Sequence, residues 1–145
     1  MYECYTLERL DMPTIVWFEE IETWQTAREL TRVVYELTHR GDFARDIGLC
    51  DQMRRASVSI MSNIAEGFES RTQPLFIDYL GRAKASAGEL RAQVYIGKDI
   101  GYLNEAEFSQ LFELCDKCSR QIAGFMKYLV QQPKALREEG LLYNV

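Results

Sequence analysis

The run from Asp51 to Phe68, DQMRRASVSIMSNIAEGF, constrains the fold more than any other stretch. No charged residue stands between Arg55 and Glu66. Ala56, Val58, Ile60, Met61, Ile64 and Ala65 fall on every side of a 3.6-residue turn, so the segment reads as a helix buried on nearly all faces. It is too short and too rich in serine to span a bilayer, which leaves the interior of a helical bundle. Its polar residues are ordered as well. Arg55, Ser59, Ser62 or Asn63, and Glu66 recur at steps of three and four and form one stripe. Polar groups in such a place need hydrogen-bond partners elsewhere in the chain.

The partners stand one helix later. The segment from Phe76 to Gly101 carries Arg82, Ser86, Glu89 and Gln93 on one helical face. The break between the two segments, Glu69-Ser-Arg-Thr-Gln-Pro74, is short, so the helices are expected to be antiparallel neighbours. In such a pair, facing residues share a nearly constant sum of residue numbers. Arg55 with Glu89, Ser59 with Ser86, and Asn63 with Arg82 satisfy this rule together. The expectation is a buried polar network of Arg55, Ser59, Asn63, Glu66, Arg82, Ser86 and Glu89. In it Arg55 contacts Glu89, and Asn63 or Glu66 reaches Arg82.

The flanking segments add two more helices. From about Phe18 to His39, Ile21, Trp24, Ala27, Leu30, Val34 and Leu37 recur at helical spacing, and Gly41 reads as a C-terminal cap. Gly67 and the polar residues after Phe68 read as the end of the central helix. The next helix begins near Thr72, with Pro74 in its first turn and an apolar seam from Phe76 through Leu80, Ala83, Ala87, Leu90, Val94 and Gly97. Asn104 and Glu107 form a capping box for the last helix, with Leu103 and Phe108 as a hydrophobic staple. Phe108, Leu111, Cys115, Cys118, Ile122, Phe125 and Leu129 then alternate steps of three and four up to Pro133. The fold class is therefore all-α: an antiparallel up-and-down four-helix bundle over residues 18–132. An N-terminal arm precedes it (1–17) and a surface tail follows it (133–145).

Charge narrows the function classes. The 145 residues carry a net charge of −5, which argues against attraction of the whole chain to nucleic acid or an anionic membrane. The balance is −6 over residues 1–53, +3 over 54–98 and −2 over 99–145, so only the central hairpin is basic. Arg54, Lys84, Arg91 and Lys98 are the candidate nucleic-acid contacts; the commoner role of such a stripe is a solvated face. No secretory signal or membrane-length apolar run is visible, so a cytoplasmic location with reduced thiols is expected.

No catalytic constellation emerges. Cys115 and Cys118 have redox or zinc spacing but sit mid-helix on the core seam, and Cys4, Cys50 and His39 are scattered singly. Packing accounts for them. The Glu-x-x-His pairs of di-iron bundles are missing. No phosphate-binding glycine loop follows a strand. The expectation is no catalytic residue, no metal and no cofactor.

Several motifs together resemble a known family. Phe18-Glu-Glu-Ile-Glu-Thr-Trp24 with Ala27 and Leu30 is similar to its opening helix. Gln52-Met-Arg-Arg-Ala56, Ser59-Ile60 and Ser62-Asn-Ile-Ala-Glu-Gly67 are similar to its strongest signature. Phe76, Tyr79-Leu80, Ala83, Ser86, Glu89-Leu90 and Lys98-Asp-Ile-Gly-Tyr-Leu103 complete the pattern. The chain resembles the bacterial four-helix-bundle proteins named for the intervening sequences of 23S rRNA genes. The resemblance spans about Phe18 to Leu129. It implies an antiparallel four-helix protomer that assembles as a ring, a homopentamer, with no known enzyme activity. A related branch, the accessory proteins of diversity-generating retroelements, binds reverse transcriptase and RNA through a basic surface. The acidic balance of this chain departs from that branch.

Two readings follow. The first is a non-catalytic oligomeric interaction or scaffold module whose partner is itself, with another protein as a further candidate. The alternative is an accessory factor that binds RNA and reverse transcriptase through the basic hairpin. For the first reading the candidate subunit interface is Trp17 with a small-residue stripe, Gly81, Ala85, Gly88 and Ala92. Small residues let another helix approach closely, the glycines at the cost of some helix propensity, and exposed apolar surface marks an interface.

Overall fold

The computed structural model describes residues 14–131 and 143–144. A 3-10 turn, Phe18–Glu20, leads into α1 (Glu22–Thr38). The short α2 (Gly41–Arg45) precedes α3 (Ile47–Glu69), α4 (Gln73–Ile100) and α5 (Glu105–Gln131). Thr14–Ile15 pairs antiparallel with Tyr143–Asn144 in a two-residue ladder. The four long helices form the bundle: α1 packs on α3 and α5, and α4 packs on the same two. No helix among the described residues is long and apolar enough to cross a membrane.

Local chemistry sets the ends of these helices. Gly41 has φ +50° and opens α2, rather than capping α1 as its position predicts; that cap is His39. α3 begins at Ile47, a turn earlier than the apolar run, because Asp46 accepts the Leu49 N–H at 3.1 Å as N-cap. Thr72 caps α4 in the same way, accepting from Leu75 N at 3.3 Å. Gly101, at φ +92°, closes that helix, and its N–H reaches the carbonyls of Gly97 and Lys98. The capping box of α5 is reciprocal: Glu107 N donates to Asn104 Oδ1 at 2.8 Å, and Asn104 N to Glu107 Oε1 at 3.0 Å.

The apolar seams meet in one core. Ile21, Ala27, Leu30, Val34, Met53, Ile60, Ile64, Leu80, Leu90, Leu111, Ile122 and Leu129 are all buried. Phe76 anchors one end, with its ring edge-on to Phe125 at 5.2 Å and to Phe68 at 6.2 Å. α3 ends at Glu69, where the Ser70 N–H reaches the Gly67 carbonyl, so the helix closes where Gly67 and the polar residues after Phe68 predict. Gly67 itself lies in the last turn, where a Cβ would stand 2.6 Å from Phe76 Cδ2 and 2.8 Å from Tyr79 Cβ. Only glycine lets α3 and α4 approach this closely.

The expected burial of the central helix on nearly all faces is overturned. α3 is buried on one side only, because it has just two long neighbours. Arg55, Val58, Ser62 and Glu66 are exposed, Val58 by 41%. Ser57 is buried instead, with its hydroxyl donated to the Arg54 carbonyl at 2.9 Å.

Candidate interaction surface

The seam between α3 and α4 holds its polar contacts at one level. Ser59 and Ser86 hydroxyls lie 2.9 Å apart. The Asn63 amide donates to the Ser59 carbonyl at 2.8 Å and to its hydroxyl at 3.0 Å. These three side chains are half-buried. Two short hydroxyls in contact fix the helices level with each other, and Gly67 fixes how closely they pack.

The charged members of the expected network do not join them. Arg55 is 79% exposed and pairs with Asp51, one turn back on its own helix, at 2.9 Å. Glu89 is exposed and accepts from Gln93 Nε2 at 3.2 Å. Arg82 lies over the Tyr79 ring at 5.2 Å, and Glu66 is exposed. The register brings Arg55 level with Glu89, but within one protomer each charge keeps its hydration, which burial would remove at greater loss. The result is a serine and asparagine seam flanked by four exposed charges.

The small stripe also faces outward. Ala85, Gly88 and Ala92 are exposed and Gly81 is half-buried. A Cβ on Gly88 would meet nothing within 4 Å, and one on Gly81 only Met126 Cε at 3.8 Å. In the expected arm, Ile15 is buried in the protomer's own core, while Trp17 is 64% exposed and Val16 is also exposed. The Val16 and Trp17 N–H groups both donate to the Glu20 carboxylate at 2.8 Å. Residues 1–13 of the arm, with Cys4, and residues 132–142 and 145 of the tail lie outside the described residues.

The basic candidates are partly spent on other partners. Lys98 sits over the Phe108 ring at 4.2 Å and pairs with Glu105 at 3.6 Å. Arg91 approaches Asp116 at 4.0 Å. Arg54 donates to Thr38 Oγ1 at 2.9 Å and lies over Tyr35. Lys84 is exposed.

The thiols are packed. Cys115 and Cys118 are buried, and burial pushes both up to about 12, far from the thiolate needed for chemistry at neutral pH. Burial also raises the Cys50 thiol, whose Sγ lies 3.0 Å from the Phe43 carbonyl. No group of three His, Cys, Asp or Glu side chains among the described residues has metal-binding geometry. His39 accounts for itself locally, with Nδ1 2.7 Å from the Tyr35 carbonyl.

One feature of the bundle's other end escaped the sequence. Glu107 caps α5 with Oε1 and pairs with Arg40 through Oε2. The hydrogen bond from Arg40 holds the Glu107 carboxyl below its ordinary value, against the opposing effect of burial. Asp46 likewise caps α3 with Oδ1 and accepts the Tyr102 hydroxyl on Oδ2 at 3.1 Å. The capping role of Glu107 is readable from its spacing to Asn104. Its partner Arg40, far away in sequence, is not.

Residues 19–124 match the model of the 23S rRNA-intervening sequence protein family. The chain belongs to this family. A solved structure with the same fold is a protein of unknown function from the S23 ribosomal protein family of Bacteroides thetaiotaomicron VPI-5482. It superimposes with a TM-score of 0.67 at 17% identity, over 72% of this chain and 98% of that one. No curated protein matches the sequence. The family match spans all four bundle helices apart from the end of α5, so the α3–α4 seam falls wholly inside it.

Proposed function

We propose that this protein is a non-catalytic interaction module that assembles with itself, in the ring of five expected from the family resemblance. The observation that carries the reading is Gly88. A glycine inside a helix weakens it by about 1 kcal/mol relative to alanine. Gly88 returns nothing to its own protomer, since no atom stands within 4 Å of where its Cβ would be. A neighbouring helix that packs closely there would give the missing side chain a purpose. Exposed Val58, Ala85, Ala92 and Trp17 add apolar surface around the bundle. A closed ring buries such surface through one repeated contact and leaves no open end.

The RNA reading draws less support. Lys98 and Arg91 already have acidic neighbours, and the net charge is −5. Phosphate contacts would have to displace those carboxylates.

Light scattering coupled to gel filtration tests the proposal at micromolar concentration. Several chains per particle are expected, and a particle of one chain, 16.9 kDa, refutes it. Gly88→Leu is expected to shift the mass towards one chain with the helical signal unchanged. A Gly88→Leu variant of unaltered mass would remove the α4 stripe from the interface.

A further inference from the structure

The charges left exposed beside the α3–α4 seam form a pattern. On α3, Arg55 stands towards one end and Glu66 towards the other, eleven residues apart. Eleven steps of the helix return to nearly the same side. On α4, Glu89 and Arg82 are seven apart and also share a side. The Ser59–Ser86 contact fixes the level of the two helices. In that register Arg55 is level with Glu89 to within one residue, and Glu66 stands three residues, about 4.5 Å, past the level of Arg82, a gap that two long side chains can span. Basic therefore stands beside acidic at one end of the seam, and acidic beside basic at the other. Between them lie only small or apolar groups: Val58 and Ser62 on α3, and Ala85 on α4.

This arrangement has a property of symmetry. A rotation about an axis parallel to the helices changes which copy a residue belongs to but not its level. If the α3 edge of one copy lies beside the α4 edge of the next, Arg55 meets Glu89 of the neighbour, and Glu66 meets Arg82 of the neighbour. Every charge then faces its opposite, whatever the number of copies around the axis. With the two charges of either helix exchanged, like charges would be opposed in such a contact, which disfavours association.

We infer that this face is the subunit contact, that its occupant is a second copy of the same chain, and that Arg55–Glu89 and Glu66–Arg82 ion pairs form between copies. The inference rests on the self-assembly proposed above and gives it a location and an orientation. Arg55 must then share or leave Asp51, and Glu89 must share or leave Gln93; both present contacts are made at exposed side chains and are easily exchanged. Arg82 leaves its place over Tyr79. Val58, Ser62 and Ala85 supply a low surface across which the edges can close.

Charge reversal tests the pairing, because all four side chains are exposed and their replacement leaves the core untouched. Arg55→Glu places a carboxylate opposite Glu89 and is expected to weaken association at least tenfold, read as the concentration at which the light-scattering mass falls by half. Glu89→Arg is expected to do the same. The double variant R55E/E89R restores an opposite pair and is expected to recover most of the lost association, with the helical signal of the folded protomer at 25 °C unchanged throughout. A wild-type particle of one chain would overturn the pairing together with the self-assembly it rests on. A multi-chain wild type that R55E and E89R leave unaffected, or a double variant as dissociated as the single ones, would overturn the pairing alone.

Discussion

Gly67→Ala is expected to destabilise the protomer, although alanine is the better helix former. The methyl would stand 2.6 Å from Phe76 Cδ2, 3.1 Å from Phe76 Cε2 and 2.8 Å from Tyr79 Cβ. Unstrained carbon contacts lie at about 3.5–4.0 Å, so the overlap is roughly 1 Å. Neither neighbour yields easily. Phe76 is fully buried and held edge-on by Phe125 and Phe68, and Tyr79 Cβ moves only with the α4 backbone. Relief requires the end of α3 to move away from α4. Overpacking of this kind costs about 1–3 kcal/mol, against a propensity gain of about 1 kcal/mol. The net loss is on the order of 1 kcal/mol. Gly124→Ala in α5 is the control, because it has the same propensity gain, meets nothing within 4 Å and lies outside the proposed subunit contact, so the protomer should gain up to about 1 kcal/mol. Urea titrations followed by far-UV circular dichroism, at one protein concentration so that assembly is held fixed, measure both. A Gly67→Ala variant as stable as the wild type, with an unchanged slope, would refute the close-approach argument.

Two further predictions concern ionisable groups. The Glu107 carboxyl is held below its ordinary value of 4.5, so its contribution to stability is complete above that value and is lost as pH falls through the lowered one. Glu107→Gln keeps a capping side chain but loses the charge; it should be less stable than wild type by about 1 kcal/mol at pH 7, with the gap closing in parallel thermal melts as pH falls from 4.5 through the lowered value. Cys115 and Cys118, raised to about 12, should resist alkylation at pH 8 in the native protein and react fully in denaturant, with the sites read by peptide mass spectrometry.

The sequence shows most clearly those features that repeat. The seams of α4 and α5 are legible because each places an apolar residue every three or four positions, and the structure buries Phe76 through Gly97 and Leu111 through Leu129 on that rule. The Asn104–Glu107 box is legible because both partners lie within one turn. Faces are harder. In α3, residue type alone puts Val58 inside and Ser57 outside, yet the structure reverses them, because a serine hydroxyl bonded to the carbonyl three residues back is tolerated in the core. Gly67 reads correctly as marking the end of α3, but the sequence does not show which ring will lie against it. The level of Arg55 and Glu89 is legible, but not that both side chains would stay in water, with a local partner for each in Asp51 and Gln93.

That outcome separates two roles along one seam. The register is set by contacts too short to tolerate slippage: two serine hydroxyls at 2.9 Å and a glycine against a phenylalanine ring. A slip of one turn, about 5.4 Å, would break both. The charges beside the seam contribute little to that register, because exposed pairs are worth well under 1 kcal/mol within a protomer. Their positions nevertheless depend on it, since a slipped α4 would leave Arg55 and Glu89 at different levels in every copy. Substitutions at Gly67 or Phe76 should therefore alter protomer stability first and assembly only as a consequence. Substitutions at Arg55 or Glu89 should alter assembly while the protomer stays folded, with its helical signal at 25 °C unchanged. A charge reversal at Arg55 that unfolded the protomer would mean the charges hold the register themselves, and the division between seam and flanks would fall.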